Sequence, residues 1–525
     1  MVRARPAHLS AALVVFFAIG SLFAGAQDVP PASAPSTSLA KNISRIEVTF
    51  DSDVLDQPYT GRVWVFTNRS FFEEPRFGPD WFRPNPFFAV DVTDWRPGTP
   101  LVMDDDAILC FPKRPDEVLT RGARVQAVMR LNRDARSPGA GAGNVYSDVE
   151  RISDTELCEG VVRLRVTQVV QPERFNETDR IKPFEVVSRL LSKFHGREMR
   201  VTGAVILPDA YDADEERRFP TLYIFPGFGQ TRDSAPFYMN AAMHPDAPLV
   251  QVLLDAECAT GFHEFADSEN NGPCGQALIE EVIPYLEKTF RLVAEPAARF
   301  VCGHSSGGWA SLWVQVAYPD YFGGAWPTSP DPVDFRDFTG INIYEKNANV
   351  FRDAKDRPRP IARMGGQVAI WFKAFSDMEV VVGPGEQLGS FEAVFSPRGP
   401  DGQPMKLWDR RTGDVDPKVA KAWEKYDIRL ILERNWAVLG PKLAGKLRVY
   451  CGDTDTFYLE GAVAMLKESL EKLGSDADIR LLKNKDHFSL AWSPEFKGIQ
   501  RAAGEKFLAS VRHAAEEFGG KAENP

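Results

Sequence analysis

The stretch Arg299-Phe300-Val301-Cys302-Gly303-His304-Ser305-Ser306-Gly307-Gly308 decides how this chain is read. Arg299 to Cys302 is too short for a helix of its own and suits a strand buried in a sheet. The next five residues fit G-x-S-x-G, and Gly307 to Tyr318 continues with helical spacing. A serine on so sharp a strand-to-helix turn needs small neighbours, because larger side chains would clash with adjacent strands. The helix that follows aims its first N–H groups at the turn, where they favour developing negative charge. Ser305 is therefore read as a nucleophile.

Working outward, Thr221–Phe225 and Leu249–Leu254 are short apolar runs, and Gln276–Phe290 carries Leu278, Val282, Leu286 and Phe290 at helical spacing. Beyond the serine, Leu447–Tyr450 reads as a strand, Glu460–Leu473 as a helix and Ile479–Leu482 as a strand. Strands covered on both faces and alternating with helices predict an α/β fold, a parallel-type sheet flanked by helices. This domain is assigned to residues 174–525. Chemistry in such folds gathers at the carboxyl ends of the strands. Residues 331–446 break the rhythm and hold Trp371, Trp408, Trp423 and Trp436, with Asp416 as N-cap and Pro417 opening a helix. They are read as a lid-like insertion over the active edge, the alternative being a structural excursion.

A serine hydroxyl needs a base to take its proton. His487 follows the last strand and a Lys485-Asp486 loop, where a base emerges when acid and base follow the serine in chain order. His304, inside the turn, is expected to point away, and His513 falls in the last amphipathic helix. Two carboxylates in Cys451-Gly452-Asp453-Thr454-Asp455 compete to orient the imidazole. Asp455, three residues past Gly452, is preferred; Asp453 is the reserve, with turn capping as its ordinary role. The oxyanion donors are assigned to the backbone N–H groups of Ser306 and of Phe228, the latter in Pro226-Gly227-Phe228-Gly229.

Residues 42–173 read differently. Arg62–Phe66, Val125–Leu131 and Val162–Thr167 have strand character, the last alternating Val162, Leu164 and Val166 with Arg163, Arg165 and Thr167. Without a convincing helix in the stretch, a β-sandwich module is expected. The aromatics between Phe71 and Phe88 are expected to fill a gap between domains, with sugar stacking as the alternative.

Arg3 and Arg5, an apolar run from Leu9 to Phe23 and Ala24-Gly25-Ala26 predict a signal peptide over residues 1–26, followed by a linker over 27–41. A secreted or periplasmic protein without stable membrane insertion after cleavage is expected. Six cysteines fit that setting, with Cys258–Cys274 and Cys110–Cys158 as preferred pairs and buried thiols as the alternative for Cys302 and Cys451. The net charge of −11 argues against a nucleic-acid partner. No H-E-x-x-H, paired C-x-x-C or G-x-x-x-x-G-K occurs, so no metal or cofactor is expected.

The chain resembles the "putative esterase" family, the esterase D/feruloyl esterase-like group of α/β hydrolases. The resemblance rests on Phe219–Gly229, Phe265–Pro273, Gly303–Gly308, Tyr318–Gly324 and the contexts of Asp455 and His487, over about Phe184–Val511. It implies a serine carboxylic ester hydrolase working through an acyl-enzyme on an acylated carbohydrate or related small ester. An acyltransferase or peptidase on the same triad and a non-catalytic carbohydrate-binding protein are the rivals. Pro226-Gly227 stands where the family often has His-Gly, and the insertion is larger than usual, so the support of the oxyanion loop and the substrate preference are not carried over.

Overall fold

The computed structural model describes residues 42–103 and 107–519; the expected signal peptide and linker lie outside them. The chain separates into two compact units, one running to Glu173 and including Val380–Gly383, the other holding Arg174–Glu379 and Pro384 onward.

In the first unit nine strands join one hydrogen-bonded sheet, antiparallel except where Arg45–Phe50 runs parallel to Val161–Val169. The hydrogen bonding thus defines one connected sheet, where the expected sandwich would have two. Ile46, Val48, Val63, Val65, Val125, Ala127, Val162 and Leu164 meet in one core cluster, so strands from across the sheet share a single buried face. Arg163 and Arg165 take the exposed alternate positions of Val161–Val169. Two short helices, Pro115–Val118 and Asp154–Glu159, interrupt the strands, the second opened by a capping box between Ser153 and Glu156. Phe87 and Phe88 are core residues of a strand, while Phe71 and Phe72 are exposed.

The second unit is an eight-stranded mixed sheet: β1 Ile181–Ser188, β2 Met199–Ile206, β3 Thr221–Phe225, β4 Val250–Leu254, β5 Arg299–His304, β6 Gly324–Thr328, β7 Arg448–Gly452 and β8 Asp478–Leu482. Their order is β1-β2-β4-β3-β5-β6-β7-β8, which sets β5 amid the sheet. β3 through β8 pair in parallel, whereas β1–β2 and β2–β4 are antiparallel. The parallel-type expectation therefore needs correcting at one edge. β1 and β2 are joined by one short helix, Arg189–His195, and β2 returns beside β1 without a crossover. β3, β4 and β6 are buried along their whole length, as strands covered by helices on both faces must be.

Residues 331–446 contribute a hairpin (Pro360–Met364 and Gln367–Trp371) and several helices. Asp416 caps Pro417–Trp423 through bonds from the Lys418 and Val419 amides. Phe335, Phe338, Phe391, Phe395 and Trp423 form an aromatic core there, and Phe395 lies 5.0 Å from Trp309 of the helix after Ser305. The segment thus has a packed interior of its own. Among the described residues all six cysteines are free, with Cys258 against Thr260 and Cys274 bonded to the Asn271 carbonyl. No helix among them is long and apolar enough to cross a membrane.

Candidate active site

Ser305 sits between β5 and helix α1 (Ser306–Ala317) with φ 60° and ψ −125°. A non-glycine residue in that region is strained and holds only where its surroundings impose it. The surroundings are backbone bonds: the Ser305 amide donates to Thr328 (3.0 Å), and its carbonyl accepts from Trp309 (3.1 Å) and Asp331 (3.2 Å). Small neighbours are obligatory. A Cβ on Gly303 would lie 2.0 Å from the Gly307 carbonyl oxygen, and one on Gly307 2.0 Å from that of Phe225.

His487 and Asp455 arrive on two stitched loops. A Cβ on Gly452 would lie 2.1 Å from the Lys485 carbonyl oxygen, so the β7 loop can press against the β8 loop only with glycine there. The Thr454 hydroxyl donates to that carbonyl (3.0 Å), and the Asn484 amide donates to Asp453 Oδ1 (2.8 Å). This leaves Asp453 as a loop tie. Asp455 instead reaches the imidazole, with Oδ2 2.9 Å from His487 Nδ1. Phe457 N–H donates to its other oxygen (2.9 Å). Both side chains are buried. Burial alone would raise the Asp455 carboxyl, yet His487 and the Phe457 amide hold it below its ordinary value. Burial likewise opposes a charged imidazole, but Asp455, and more weakly Asp331, lift His487 above the usual value.

His304 does not point away. Its ring lies 4.5 Å from that of His487, and Nδ1 is 3.0 Å from the Thr328 hydroxyl. Burial, reinforced by His487, pushes it down to about 3, so it packs against the base as a neutral ring. Phe457 covers another side of His487 edge-on at 4.9 Å.

On the oxyanion side, Ser306 is the first residue of α1, and its N–H has no intrahelical acceptor. Phe228 lies in the loop after β3, where the Gly227 amide donates to Gln230 Oε1 (2.8 Å) and Gly229 has φ 77°. Gln230 thus braces the turn from within its own loop.

Three residues near the serine were not anticipated. Asp331, buried just past β6, accepts from the Ser306 hydroxyl (2.6 Å) and from Gln387 Nε2 (3.2 Å). Gln387 opens helix α2 (Gln387–Phe395) in the insertion and also reaches Ser306 Oγ (3.2 Å). Arg363, in the hairpin, donates from Nε to the Asp455 carbonyl (3.0 Å). A carboxylate at a strand's carboxyl end is a findable signal for Asp331. Gln387 and Arg363 carry none, since only long-range folding brings them in. Among the described residues no group of His, Cys, Asp and Glu could hold a metal ion.

Residues 192–431 match the model of the family described as "Putative esterase". The matched segment is a little under half of the chain. It contains Ser305, Ser306, Phe228 and Asp331 and ends before Asp455 and His487. Among curated proteins, Esterase Rv1288 and Esterase MT1326, both of Mycobacterium tuberculosis, are each 32% identical over 147 residues, which is 27% of this chain. The chain spans about a third (32%) of the length of these relatives. Similar solved structures include a ferulic acid esterase (12% identity, 62% of this chain and 98% of that one, TM-score 0.39). Another is an S-formylglutathione hydrolase from Agrobacterium tumefaciens (14% identity, 62% and 95%, TM-score 0.38).

Proposed function

We propose that this protein is a serine carboxylic ester hydrolase acting through Ser305, His487 and Asp455. The observation that carries the reading is the buried Asp455–His487 pair beside the strained turn that holds Ser305. Ser305 Oγ attacks the ester carbonyl while His487 Nε2 takes its proton, and Asp455 steadies the imidazolium through Nδ1–H. The Ser306 and Phe228 amides receive the oxyanion. Collapse expels the alcohol, protonated by His487, and leaves an acyl-serine. Water, deprotonated by the same imidazole, then frees the acid and restores the serine.

An acylated carbohydrate or related small ester is the substrate class supported by the resemblance. Of the insertion's tryptophans, Trp408 and Trp423 are buried in its interior and lend it no support, while Trp371 is exposed. Export to the periplasm or medium is part of the proposal and rests on Arg3, Arg5 and the apolar run before Ala26. The test is hydrolysis of 4-nitrophenyl acetate and butyrate beside Ser305→Ala, with fluorophosphonate labelling. Turnover should fall at least a thousandfold in the variant with unchanged circular dichroism, and label should go to Ser305. Equal turnover in both proteins would overturn the assignment.

A further inference from the structure

The site holds more carboxyl groups than the proposed reaction uses. Asp455 is engaged by His487, but among the described residues neither Asp331 nor Glu264 forms an ion pair. Glu264 lies between β4 and the helix that starts at Cys274, is 1% exposed, and among the described residues neither of its carboxyl oxygens has a hydrogen-bond partner. Such a group is unfavourable buried without a partner, far more so charged than neutral, so it needs a reason. Its loop packs against the start of α2, since a Cβ on Gly261 would lie 2.9 Å from both the Gly385 carbonyl oxygen and Ser390 Cβ, and the charge that acts on Glu264 is that of Asp331. Its neighbour His263 offers no countercharge, since burial pushes that imidazole down to about 4. Glu264 and Phe265 both have positive φ (54° and 50°), so this turn is held in a conformation that few side chains choose freely.

Asp331 is the bridge from Glu264 to the reaction centre. Its amide donates to the Ser305 carbonyl, and its carboxylate accepts from Ser306 and Gln387. Burial lifts it to about 6, with hydrogen bonds from Ser306 and Gln387 and the nearby His487 working the other way. Ser305 and Gln387 are each partly open to solvent. A solute at the serine turn therefore meets the Gln387 amide and, hydrogen-bonded to it, the buried Asp331 carboxylate, in a setting where charge is weakly screened.

Resting on the ester-hydrolase reading, we propose that Glu264, Asp331 and Gln387 form a cation subsite beside Ser305, and that the preferred ester carries an ammonium group. The ammonium binds at Asp331 and Gln387 Oε1, and Glu264 contributes field from behind rather than contact. Burial and Asp331 hold the Glu264 carboxyl well above its ordinary range, and a seated cation favours its charged form. Glu264 is on this view a specificity residue that leaves the chemical step alone.

Two ester pairs separate the acyl and alcohol sides. 4-Nitrophenyl 4-aminobutyrate is compared with 4-nitrophenyl pentanoate, and acetylthiocholine with its uncharged 3,3-dimethylbutyl analogue. In one pair at least, the cationic ester should lead in kcat/KM by about tenfold, one well-placed charge contact. Glu264→Gln should erase most of that lead through KM, with the neutral ester unchanged. Gln387→Met, at a partly exposed position, should weaken the same lead and covers the case in which Glu264→Gln does not fold. Calorimetry with n-butylammonium and 1-butanol gives a readout without turnover. If n-butylammonium binds in a Glu264-dependent way while no ester is cleaved, the subsite stands and the hydrolase reading falls. A wild-type protein that favours neutral esters and 1-butanol, or a cation preference that survives both substitutions, overturns the subsite.

Discussion

The two sheets of this molecule bury their strands in opposite ways. In the first unit, Val161–Val169 hides Val162, Leu164 and Val166 and turns Arg163 and Arg165 outward. In the second, β3 and β4 are buried at every residue. A half-buried strand can place polar groups along its length, one residue in two. A strand covered on both faces has no room for polar chemistry except where it ends, and there the site residues are found. Ser305 follows β5, Asp331 follows β6, Asp455 follows β7 and His487 follows β8. None of the residues assigned to the chemistry lies on the first sheet.

The sharpest way to break this contrast is to ask whether strand-end position alone makes a carboxylate functional. Asp453 and Asp455 share one loop after β7, yet only Asp455 touches His487. Asp455→Asn should lower kcat by about ten-thousandfold, because the imidazole loses the partner that fixes its tautomer. Asp453→Ala should leave kcat near wild type and cost about 1 kcal/mol of stability by removing the acceptor for the Asn484 amide. Matching losses in steady-state assays would mean the two aspartates act as one unit.

Burial itself is tested next. Ile224→Ala, inside a strand covered on both faces, should cost about 2–5 kcal/mol in urea unfolding. Arg163→Ala, on the open face of the first sheet, should not shift the urea midpoint measurably. A large loss at Arg163 would show that this face is covered in solution.

The smallest expected effect is a shift in pH dependence. In the proposed mechanism His487 works only as neutral imidazole, so kcat/KM should fall as pH drops through its pKa, with a midpoint above the ordinary imidazole value. Asp331→Asn removes one nearby negative charge and should move that midpoint down, by less than Asp455→Asn does. An unmoved midpoint would remove Asp331 from the electrostatics of the base.

Much of this arrangement was legible because it is local. Five apolar strands around the serine, the helix after it and the Asp416 cap all follow from spacing within a few residues. The first sheet was read less well. Alternation identifies a half-buried strand but does not say which strands pair, and nine strands forming one sheet was not foreseen. The antiparallel edge escaped for the same reason, since strand direction depends on the connection and leaves no mark on composition.

What the sequence determined by itself is the G-x-S-x-G turn, the need for glycine at 303 and 307, and His487 as the histidine at a strand's end. Each depends on residues within one turn or one strand. Only the tertiary structure decided that Asp455 rather than Asp453 meets the imidazole, that His304 packs on it, and that Asp331 and Gln387 gather on Ser306. Gln387 lies 81 residues from Ser306, whose hydroxyl it touches. Contacts of that range depend on how β5, β6 and the insertion pack in three dimensions, and no pattern along the chain encodes them.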